Sequence, residues 1–298
     1  MVKVTVPATT ANLGPGFDTM GMALDMYNIV EMDIHETIEI TVYGEGEKEI
    51  SRDQSNIVYQ AAKKVFEKAN KQLNGLKIHL TNEIPVARGL GSSAAAVVGG
   101  VVAANALLNY PLNEQQLAEL VTEIEGHPDN VLPALLGGIV IAGWGQDRLL
   151  YKKISPCKDL KAIVAIPNFE LATKRAREVL PATVLFKDAI FNINRASLLV
   201  SALMSNDYRL LSEVMEDRLH QPYRSQLIPG MNELISKTKD AGAIGVVLSG
   251  AGPTMLALTK DNSRKIMATM EQVFEQHGIS CSVRLLEIIF NGAQVENK

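Results

Sequence analysis

The sequence predicts an α+β fold of two closely packed domains. With 298 residues, the chain exceeds the size at which a single hydrophobic core usually stops growing. Apolar residues alternate with polar ones early in the chain, which is typical of strands, and later recur three and four positions apart, which is typical of helices. The second half alternates both patterns in short segments. A small mixed layer is expected there, rather than a repeat array or a barrel of eight units.

The predicted first domain begins as a sheet and continues with helices. Three segments near the amino terminus alternate apolar and polar residues, as expected for half-buried antiparallel strands. Asn113 and Gln116 form a capping-box pattern, and Gly126 and Pro128 should end the helix that it opens. The elements predicted here are strands at 2–6, 30–34, 38–42 and 76–80 and helices at 57–69, from about 92, and at 113–125.

Shorter elements of both types are predicted in the second half. A polar stretch, Lys152 to Lys158, separates apolar runs at 138–144 and 159–167 and is taken as the boundary. The predicted domains are therefore residues 1–155 and 156–298. The elements predicted beyond the boundary are strands at 161–166, 244–248, 255–258 and 280–286 and helices at 182–205, 207–216, 231–241 and 261–276.

Composition and charge disfavour several classes of function. A net charge of −4, from 29 basic and 33 acidic residues, offers no positive field for nucleic acid or for anionic lipid. The longest nearly apolar stretch, 94–108, is too short to span a bilayer, and no signal peptide is visible. Cys157 and Cys281 lack C-x-x-C spacing and are interpreted as reduced thiols. A cytoplasmic protein without a nucleic acid or membrane partner is expected.

The most informative segment is a glycine-containing loop that opens a helix. Gly89 and Gly91 permit positive φ and a close approach of the backbone, while Ser92 and Ser93 begin a helix whose free N–H groups attract an anion. A triphosphate fits such a site, although glycines that only allow tight packing are the alternative. No G-K-[ST] follows, so a cation must supply the charge that a Walker A lysine would bring. The segment reads Pro85-Val86-Ala87-Arg88-Gly89-Leu90-Gly91-Ser92-Ser93-Ala94-Ala95.

Two further loops carry glycine and polar residues. Pro7 to Asp18 follows the first strand directly, and its sharp turn could place the side chains of Asn12 and Asp18 in one pocket. Ser249 to Thr254 joins two apolar strands and contains Gly250 and Gly252. Taken singly, the first could be a capped turn and the second an ordinary hairpin.

Taken in chain order, as residues 7–18, 85–95 and 249–254, the three segments resemble the three motifs of the GHMP kinases. Together the three segments span most of the chain. The resemblance implies an amino-terminal domain like domain 2 of ribosomal protein S5, with a left-handed βαβ unit, and a ferredoxin-like α/β sandwich after it. It also implies ATP bound by residues 85–95, Gly250 and Gly252, with Asn56 near the base, although a helix cap explains Asn56 equally well. Homodimers are common in the family.

The stretch Glu125-Gly126-His127-Pro128-Asp129-Asn130-Val131 resembles the homoserine kinase branch of that family, whose segment ends in H-x-D-N-V. In the family, a magnesium ligand stands at the position of Glu125. Carboxylate and hydroxyl oxygens suit Mg²⁺, so Glu125 with Ser93, or with Ser92, is the expected pair. The alternatives are an exposed acid at a helix end for Glu125 and a helix cap for His127.

Two arginine segments also resemble this branch: T-x-x-A-R at Thr173 to Arg177 and H-Q-P-Y-R at His220 to Arg224. Guanidinium groups bind carboxylates through paired hydrogen bonds, so Arg177 and Arg224 suit the α-carboxylate of an amino acid, unless both are merely solvated helix residues. The resemblance implies that Asp129 binds the ammonium group of L-homoserine. Asn130 or Asp18 would orient its hydroxyl, and Thr173 and His127 complete the expected acceptor site.

The implied activity is ATP-dependent phosphorylation of the L-homoserine hydroxyl to O-phospho-L-homoserine, in threonine biosynthesis. The acceptor would attack without a general base, since no lysine stands beside Asp129. Other members of the family, which phosphorylate mevalonate, diphosphocytidyl-methylerythritol or shikimate, are the nearest alternatives. A nucleotide sensor without turnover is the alternative from another class.

Overall fold

The computed structural model of the protein describes residues 1–155 and 159–297. Two sheets and the helices between them make up this part of the chain. The strands are β1 Val2–Ala11, β2 Met20–His35, β3 Glu39–Gly44, β4 Gly75–Asn82, β5 Ile139–Trp144, β6 Leu149–Ile154, β7 Lys161–Pro167, β8 Gly245–Leu248, β9 Met255–Thr259, β10 Cys281–Glu287 and β11 Gln294–Asn297. The α-helices are α1 Ile57–Lys68, α2 Ser92–Leu107, α3 Glu114–Glu125, α4 Pro128–Leu136, α5 Thr173–Glu178, α6 Phe186–Ser205, α7 Leu211–Val214, α8 Gln221–Arg224, α9 Met231–Asp240 and α10 Ser263–Gln276.

The first sheet has the order β11-β1-β2-β4-β3, and β5 and β6 extend it from the first part of β2. The pair β1 and β2 confirms the antiparallel prediction, with Val4 opposite Val30. The antiparallel prediction for 38–42 is wrong, because β3 runs parallel to β4. Parallel neighbours need a crossover, and α1 supplies it.

The second sheet has the order β10-β7-β9-β8, and every neighbouring pair in it is antiparallel. Numbered within the sheet, this order is 4-1-3-2, with helices in the connections, as in a ferredoxin-like sandwich. Alternate residues of β7 enter two cores: Val164 belongs to the main apolar cluster, and Ile163 to the cluster on the other face. β7, one of the two inner strands of this sheet, is therefore buried on both faces.

Several element boundaries differ from the sequence predictions. β1 continues to Ala11, so the first motif begins inside the strand and not after it. The α3 capping box is present, and Gly126 ends that helix, but Pro128 opens α4, which was not predicted. Proline fits the first turn of a helix because the N–H it lacks has no partner there.

The predicted domain boundary falls beside residues 156–158, which include Cys157 and lie outside the described residues. β11, from the end of the chain, pairs with β1 of the first sheet.

Cys281 is a free thiol, and burial raises its pKa to about 11. Among the described helices, none has the length and apolar character required to cross a membrane.

Candidate active site

A cavity of about 510 Å³ is lined by residues from both halves of the chain. All three loops found in the sequence reach it: the first through Asn12 and Asp18, the second through residues 86–93 and the third through Gly250. The turn between α3 and α4 and the start of α4 add Glu125, His127, Asp129 and Asn130. Helices α5 and α8 add one arginine each. The fold thus brings the separate sequence motifs to one place.

The loop before α2 ends in a helix start suited to an anion. Gly91 caps α2 with φ of +72° and provides no side-chain cap. The helix is 16 residues long and has no acidic residue in its first turn. Gly91, Ser92 and Ser93 line the cavity, so the free N–H groups and positive dipole end of α2 border it.

The first and third motifs hold this loop in place. Thr9 N donates to Leu90 O at 3.1 Å, and Thr254 N donates to Arg88 O at 3.3 Å. Ser249 Oγ donates to Gly89 O at 2.5 Å. A β-carbon added at Gly89 would lie 2.4 Å from Ser249 O, so only glycine allows this approach.

Five of the predicted nucleotide-binding residues do not line the cavity. Leu90, Ala94 and Ala95 have no exposed surface and belong to the main core, because α2 is apolar on nearly all sides. Pro85 and Gly252 are also absent from the lining. Those that do line it are Asn56, Val86, Ala87, Arg88, Gly89, Gly91, Ser92, Ser93 and Gly250.

One part of the cavity is apolar and could receive a flat base. Its side chains come from β2, β4, α1, α2 and the β3–α1 loop, and they are Val30, Ile50, Ile57, Val58, Leu80 and Ala96. Their place in the cavity was not predicted, because apolar residues of this kind cannot be told from core residues in the sequence. Asn56 also lines this part, and its Oδ1 caps α1 by accepting from Val58 N at 2.9 Å. The cap is thus observed, and a contact with the base stays a prediction.

Ser93 and Glu125 meet at the start of α2. Ser93 Oγ donates to Glu125 Oε2 at 3.1 Å. Burial raises the pKa of the Glu125 carboxyl above its ordinary 4.5, against the attraction of His127 and the bond from Ser93. A half-buried carboxylate beside a hydroxyl and a helix start is a hard-oxygen donor set that fits Mg²⁺ bound to phosphate.

Asp18, His127 and Asp129 form a second cluster, with ligand atoms within 4.8 Å of one another. Here each carboxylate already has a basic partner within the chain, whereas Glu125 is bonded to a hydroxyl. His127 Nδ1 lies 2.6 Å from Asp129 Oδ1, and this bond raises the pKa of His127 above its ordinary 6.5. Arg177 binds both oxygens of Asp18. The pair Ser93 and Glu125 is therefore the better metal candidate.

The two predicted arginines converge on one ring. Arg177 lies 5.6 Å and Arg224 5.2 Å from the centroid of Phe17. Arg177 donates through two nitrogens to Asp18, at 2.9 and 2.7 Å. Arg224 is 2% exposed, and its burial together with the charge of Arg177 lowers its pKa to about 10. Arg224 is therefore not a solvated helix residue, and Arg177, whose side chain is 37% exposed, is paired with Asp18; both line the cavity.

Asn130 connects Asp129 to Thr9, which holds the loop before α2. Its Oδ1 accepts from Thr9 Oγ1 at 2.8 Å, and its Nδ2 donates to Asp129 Oδ1 at 3.3 Å. The same Oδ1 lies 3.3 Å from where a β-carbon of Gly91 would be. Thr173, by contrast, is exposed on the rim, at the start of α5.

His220 supports this region from behind and was not chosen in the sequence analysis. It is fully buried, stacks on Phe17 with centroids 5.1 Å apart, and donates from Nε2 to Gly14 O at 2.9 Å. Arg224 Nη1 lies 3.4 Å from its Nδ1. The one sequence feature that pointed to His220 was its position in the H-Q-P-Y-R segment. His220 joins the loop of the first motif to Arg224.

Protonation of His220 should destabilise the fold. Burial lowers the pKa of His220 below its ordinary 6.5, so below pH 6.5 the unfolded chain binds a proton that the folded chain does not. The unfolding free energy should be unaffected above that pH and fall below it, by up to about 1.4 kcal/mol per pH unit. Urea unfolding at pH 7.5 and 5.5 should show a larger decrease for the natural chain than for His220→Gln. A variant of the exposed His35, His35→Gln, should behave like the natural chain; equal decreases for all three would contradict the assignment.

Comparison with known proteins gives the family. The model of the GHMP kinases N-terminal domain matches residues 56–138, and that of the GHMP kinases C-terminal domain matches residues 199–276. The chain is 49% identical to a homoserine kinase of Carboxydothermus hydrogenoformans, over 95% of this chain and 93% of that protein. It is 46% identical to a homoserine kinase of Moorella thermoacetica, over 99% and 100% of the two chains.

Solved structures agree with this result. A homoserine kinase of Cytophaga hutchinsonii superposes with a TM-score of 0.90 at 32% identity, over 99% of this chain and 97% of that one. The mevalonate kinase of Methanococcus jannaschii has a TM-score of 0.70 at 16% identity, over 97% and 98%, which shows a shared fold alone. The chain belongs to the GHMP kinases and, within them, to the homoserine kinase family.

Proposed function

We propose that this protein transfers the γ-phosphoryl group of ATP to the side-chain hydroxyl of L-homoserine and forms O-phospho-L-homoserine, a step of threonine biosynthesis. One observation carries the proposal above all. Arg177 and Arg224 converge on Phe17 in the same cavity that the amino-terminal end of α2 borders. The site therefore combines groups suited to a carboxylate with groups suited to a polyphosphate.

ATP is proposed to bind along the loop before α2. The N–H groups at Gly91, Ser92 and Ser93 would bind the phosphates, and the apolar lining near Val30 and Leu80 would receive the base. Arg88 is not a substitute for the missing Walker lysine, because its guanidinium is tied to the Pro167 and Val86 carbonyls.

Mg²⁺ is proposed at Ser93 Oγ and Glu125, with Ser92 as the alternative hydroxyl. When bound, it supplies positive charge to the phosphates, which no lysine of this loop provides. Ser93 and Glu125 are already in contact, so the chain brings both oxygens together before any ligand arrives. Preorganised ligands of this kind avoid a reorganisation cost during the reaction.

The acceptor is proposed to bind between the arginines and Asn130. Arg177 would bind the α-carboxylate together with the remaining N–H groups of Arg224, and Asp129 would receive the ammonium group. Arg224 Nε and Nη1 already donate to the carbonyls of Ala176 and Gly250, at 3.1 and 3.0 Å. Asp18 already binds Arg177, whereas Asn130 lies beside the phosphate loop, so Asn130 is our choice for orienting the hydroxyl. Asp18 would then serve to hold Arg177 until the substrate carboxylate shares it. Both guanidinium groups lie over the Phe17 ring, 5.6 and 5.2 Å from its centroid.

The chemistry proposed is direct displacement. The hydroxyl oxygen forms a bond to the γ-phosphorus, the bond from that phosphorus to the β–γ bridging oxygen breaks, and ADP leaves with its electron pair. Because the transition state is loose, the hydroxyl proton can leave late, to the transferred phosphoryl oxygens or to water, without a strong base. His127 Nδ1 donates to Asp129 Oδ1 at 2.6 Å, so that carboxylate is held in place, which agrees with a role in binding.

The experiment is a measurement of ADP formation with ATP and Mg²⁺ in the presence of L-homoserine, L-serine, mevalonate or shikimate. We expect turnover with L-homoserine at least about 100-fold above the others. Mevalonate and shikimate lack an ammonium group for Asp129, and the hydroxyl of L-serine is one methylene closer to the carboxylate that the arginines would hold. Turnover only with another acceptor would overturn the homoserine assignment. Tight ATP binding without turnover on any acceptor would instead indicate a nucleotide sensor.

Arg177→Ala should weaken acceptor binding selectively. Loss of a paired, charge-assisted contact to a carboxylate costs about 2 kcal/mol or more, so the KM for L-homoserine should rise at least about 30-fold while the KM for ATP stays within about twofold. Arg175→Ala, on the same short helix but exposed, is the matched control and should change neither. An unchanged homoserine KM in Arg177→Ala would exclude the clamp.

We further propose that the enzyme acts in the cytoplasm, where ATP is supplied, and that it acts as a homodimer. Family resemblance supports the second statement.

A further inference from the structure

Two asparagines border the apolar part of the cavity, where the base of ATP is proposed to bind. Asn28 on β2 and Asn82 on β4 lie opposite each other in the sheet, next to the facing pair Val30 and Leu80. Both asparagines line the cavity, and they are only 4% and 8% exposed. Burial of an amide is costly unless its polar atoms are hydrogen-bonded, so each of these atoms is expected to have a partner in the chain or in a ligand.

The chain itself fixes the orientation of both amides. Asn28 Oδ1 accepts from Glu83 N and from Ile84 N, each at 3.0 Å. Asn82 Nδ2 donates to Glu45 O at 3.1 Å. An oxygen that receives two N–H groups and a nitrogen that meets a carbonyl cannot be exchanged for one another, so neither amide can turn over without losing its partners.

The other polar atom of each amide, Asn28 Nδ2 and Asn82 Oδ1, has no hydrogen-bond partner in the described part of the chain. Both atoms keep accessible surface, because the fully buried side-chain atoms without a partner in that part are Arg195 Nε, Thr238 Oγ1 and Thr254 Oγ1. The pair therefore offers the cavity one N–H donor and one acceptor at fixed, neighbouring positions.

The third buried asparagine of this region, Asn56, differs from the pair. Its Oδ1 accepts from Val58 N at 2.9 Å, and its Nδ2 donates to Ser51 O at 2.7 Å, so both polar atoms already have partners in the chain. The exposed polar residues beside it are Glu49, Ser51 and Ser55. Among the described side chains around the base, the buried donor and acceptor left for a ligand are thus those of Asn28 and Asn82.

The chemistry of adenine decides how this pair can be used. Adenine has one donor group, the 6-amino group, and the ring nitrogens on either side of it, N1 and N7, are acceptors. We propose that Asn82 Oδ1 accepts from the 6-amino group and that Asn28 Nδ2 donates to one of those ring nitrogens, so that the pair selects adenine among the purine bases. The inference rests on the proposed binding of ATP and adds the residues that choose its base.

A purine with an oxygen at position 6 does not fit this arrangement. In hypoxanthine and guanine, that oxygen is an acceptor, and it would face Asn82 Oδ1, which is also an acceptor. The buried oxygen of Asn82 would then be left without a donor, and a site built around a hydrogen bond rejects a ligand that lacks it. Discrimination by a paired contact of this kind corresponds to at least about a tenfold difference in affinity.

Calorimetry of nucleotide binding in the presence of Mg²⁺ tests the proposal on the natural chain. The nucleotides are ATP, inosine triphosphate and purine riboside triphosphate, which has only hydrogen at position 6. ATP should bind at least about tenfold more tightly than either of the others. Equal affinities for the three would overturn the proposal. Absence of binding by all three would instead contradict the proposed function, so the two failures are distinguishable.

Asn82→Leu removes the acceptor at similar volume. ATP and purine riboside triphosphate should then bind within about twofold of each other, because the 6-amino group has no partner left to lose. A merely structural role for Asn82 would weaken both nucleotides equally and keep their natural ratio, which would overturn the proposal. Asn105→Leu is the matched control: Asn105 is 3% exposed and is bonded to Leu112, outside the cavity. It should lose stability and keep the natural ratio.

Asn28→Asp removes the donor and keeps an oxygen for Glu83 N and Ile84 N. On the natural chain, either 1-deaza-ATP or 7-deaza-ATP should bind at least about tenfold more weakly than ATP, since one of the two lacks the ring nitrogen that Asn28 meets. In Asn28→Asp, that analogue should bind within about twofold of ATP. The added charge acts on every triphosphate alike and cancels in the ratio. Natural ratios for both analogues in Asn28→Asp would overturn the role of Asn28.

Discussion

Glu125→Gln should lower turnover with ATP and L-homoserine by at least about 100-fold. The substitution keeps the shape of the side chain but removes the negative charge that, beside Ser93, would hold Mg²⁺ on the phosphates. The concentration of Mg²⁺ needed for half-maximal rate should rise together with the loss. Binding of ATP without Mg²⁺, measured by calorimetry, should be unchanged or slightly tighter, because one negative charge has left the phosphate site.

Glu123→Gln is the matched control for this change. Glu123 lies on the same helix, two residues earlier, and pairs at the surface with Lys68 at 3.2 Å. Its replacement should leave the rate and the Mg²⁺ requirement within about twofold, as expected for an exposed ion pair. A Glu125→Gln enzyme with natural turnover and natural Mg²⁺ dependence would remove Glu125 from the metal site.

Gly91→Ala should disable the phosphate loop almost completely. Gly91 has φ of +72°, and a β-carbon there would lie 2.0 Å from Thr9 Oγ1, inside van der Waals contact. Thr9 lies in β1 and is itself bonded to Asn130, so the loop must move and the start of α2 must move with it. We expect ATP affinity and turnover to fall at least about 100-fold, since small displacements of positioned groups have effects of this size.

Gly278→Ala separates the effect of the positive φ from the effect of the contact with Thr9. Gly278 has the same φ of +72°, but nothing lies within 4 Å of its added β-carbon. It should therefore lose about 1 kcal/mol of unfolding free energy from the backbone conformation alone and keep full activity. Gly91→Ala should lose more stability than this in urea unfolding. Equal stability losses and an active Gly91→Ala enzyme would show that the contact with Thr9 is unimportant.

Periodicity predicted the strands and helices whose one face is buried, and it failed where the chain departs from that rule. β1 is buried on both faces over its last residues, so alternation stops at Val6 while the strand continues to Ala11. The parallel pairing of β3 and β4 has no local signal, because it depends on the path of α1. Strand direction is therefore a tertiary property that a single segment does not encode.

The candidate site was predicted best where chemistry requires a rare residue pattern. Glycines with positive φ and adjacent serines predicted a phosphate site before α2, and Arg177 and Arg224 predicted a carboxylate site. The structure places these residues at one cavity, and the ligands of each stay a prediction. The apolar lining around Val30 and Leu80 could not be found, because its residues look like core. Nor could the contact of His220 with the loop that carries Gly14, since it joins residues 206 positions apart in the sequence.

The central claim is that the arginines hold the carboxylate of the acceptor and present its hydroxyl to ATP. The most direct test is ³¹P NMR of the product formed from ATP, Mg²⁺ and L-homoserine, followed by treatment with hydroxylamine. The account predicts a phosphate monoester resonance coupled to the side-chain methylene protons and stable to hydroxylamine. A hydroxylamine-labile acyl phosphate on the carboxylate, or ADP formed together with inorganic phosphate alone, would contradict it.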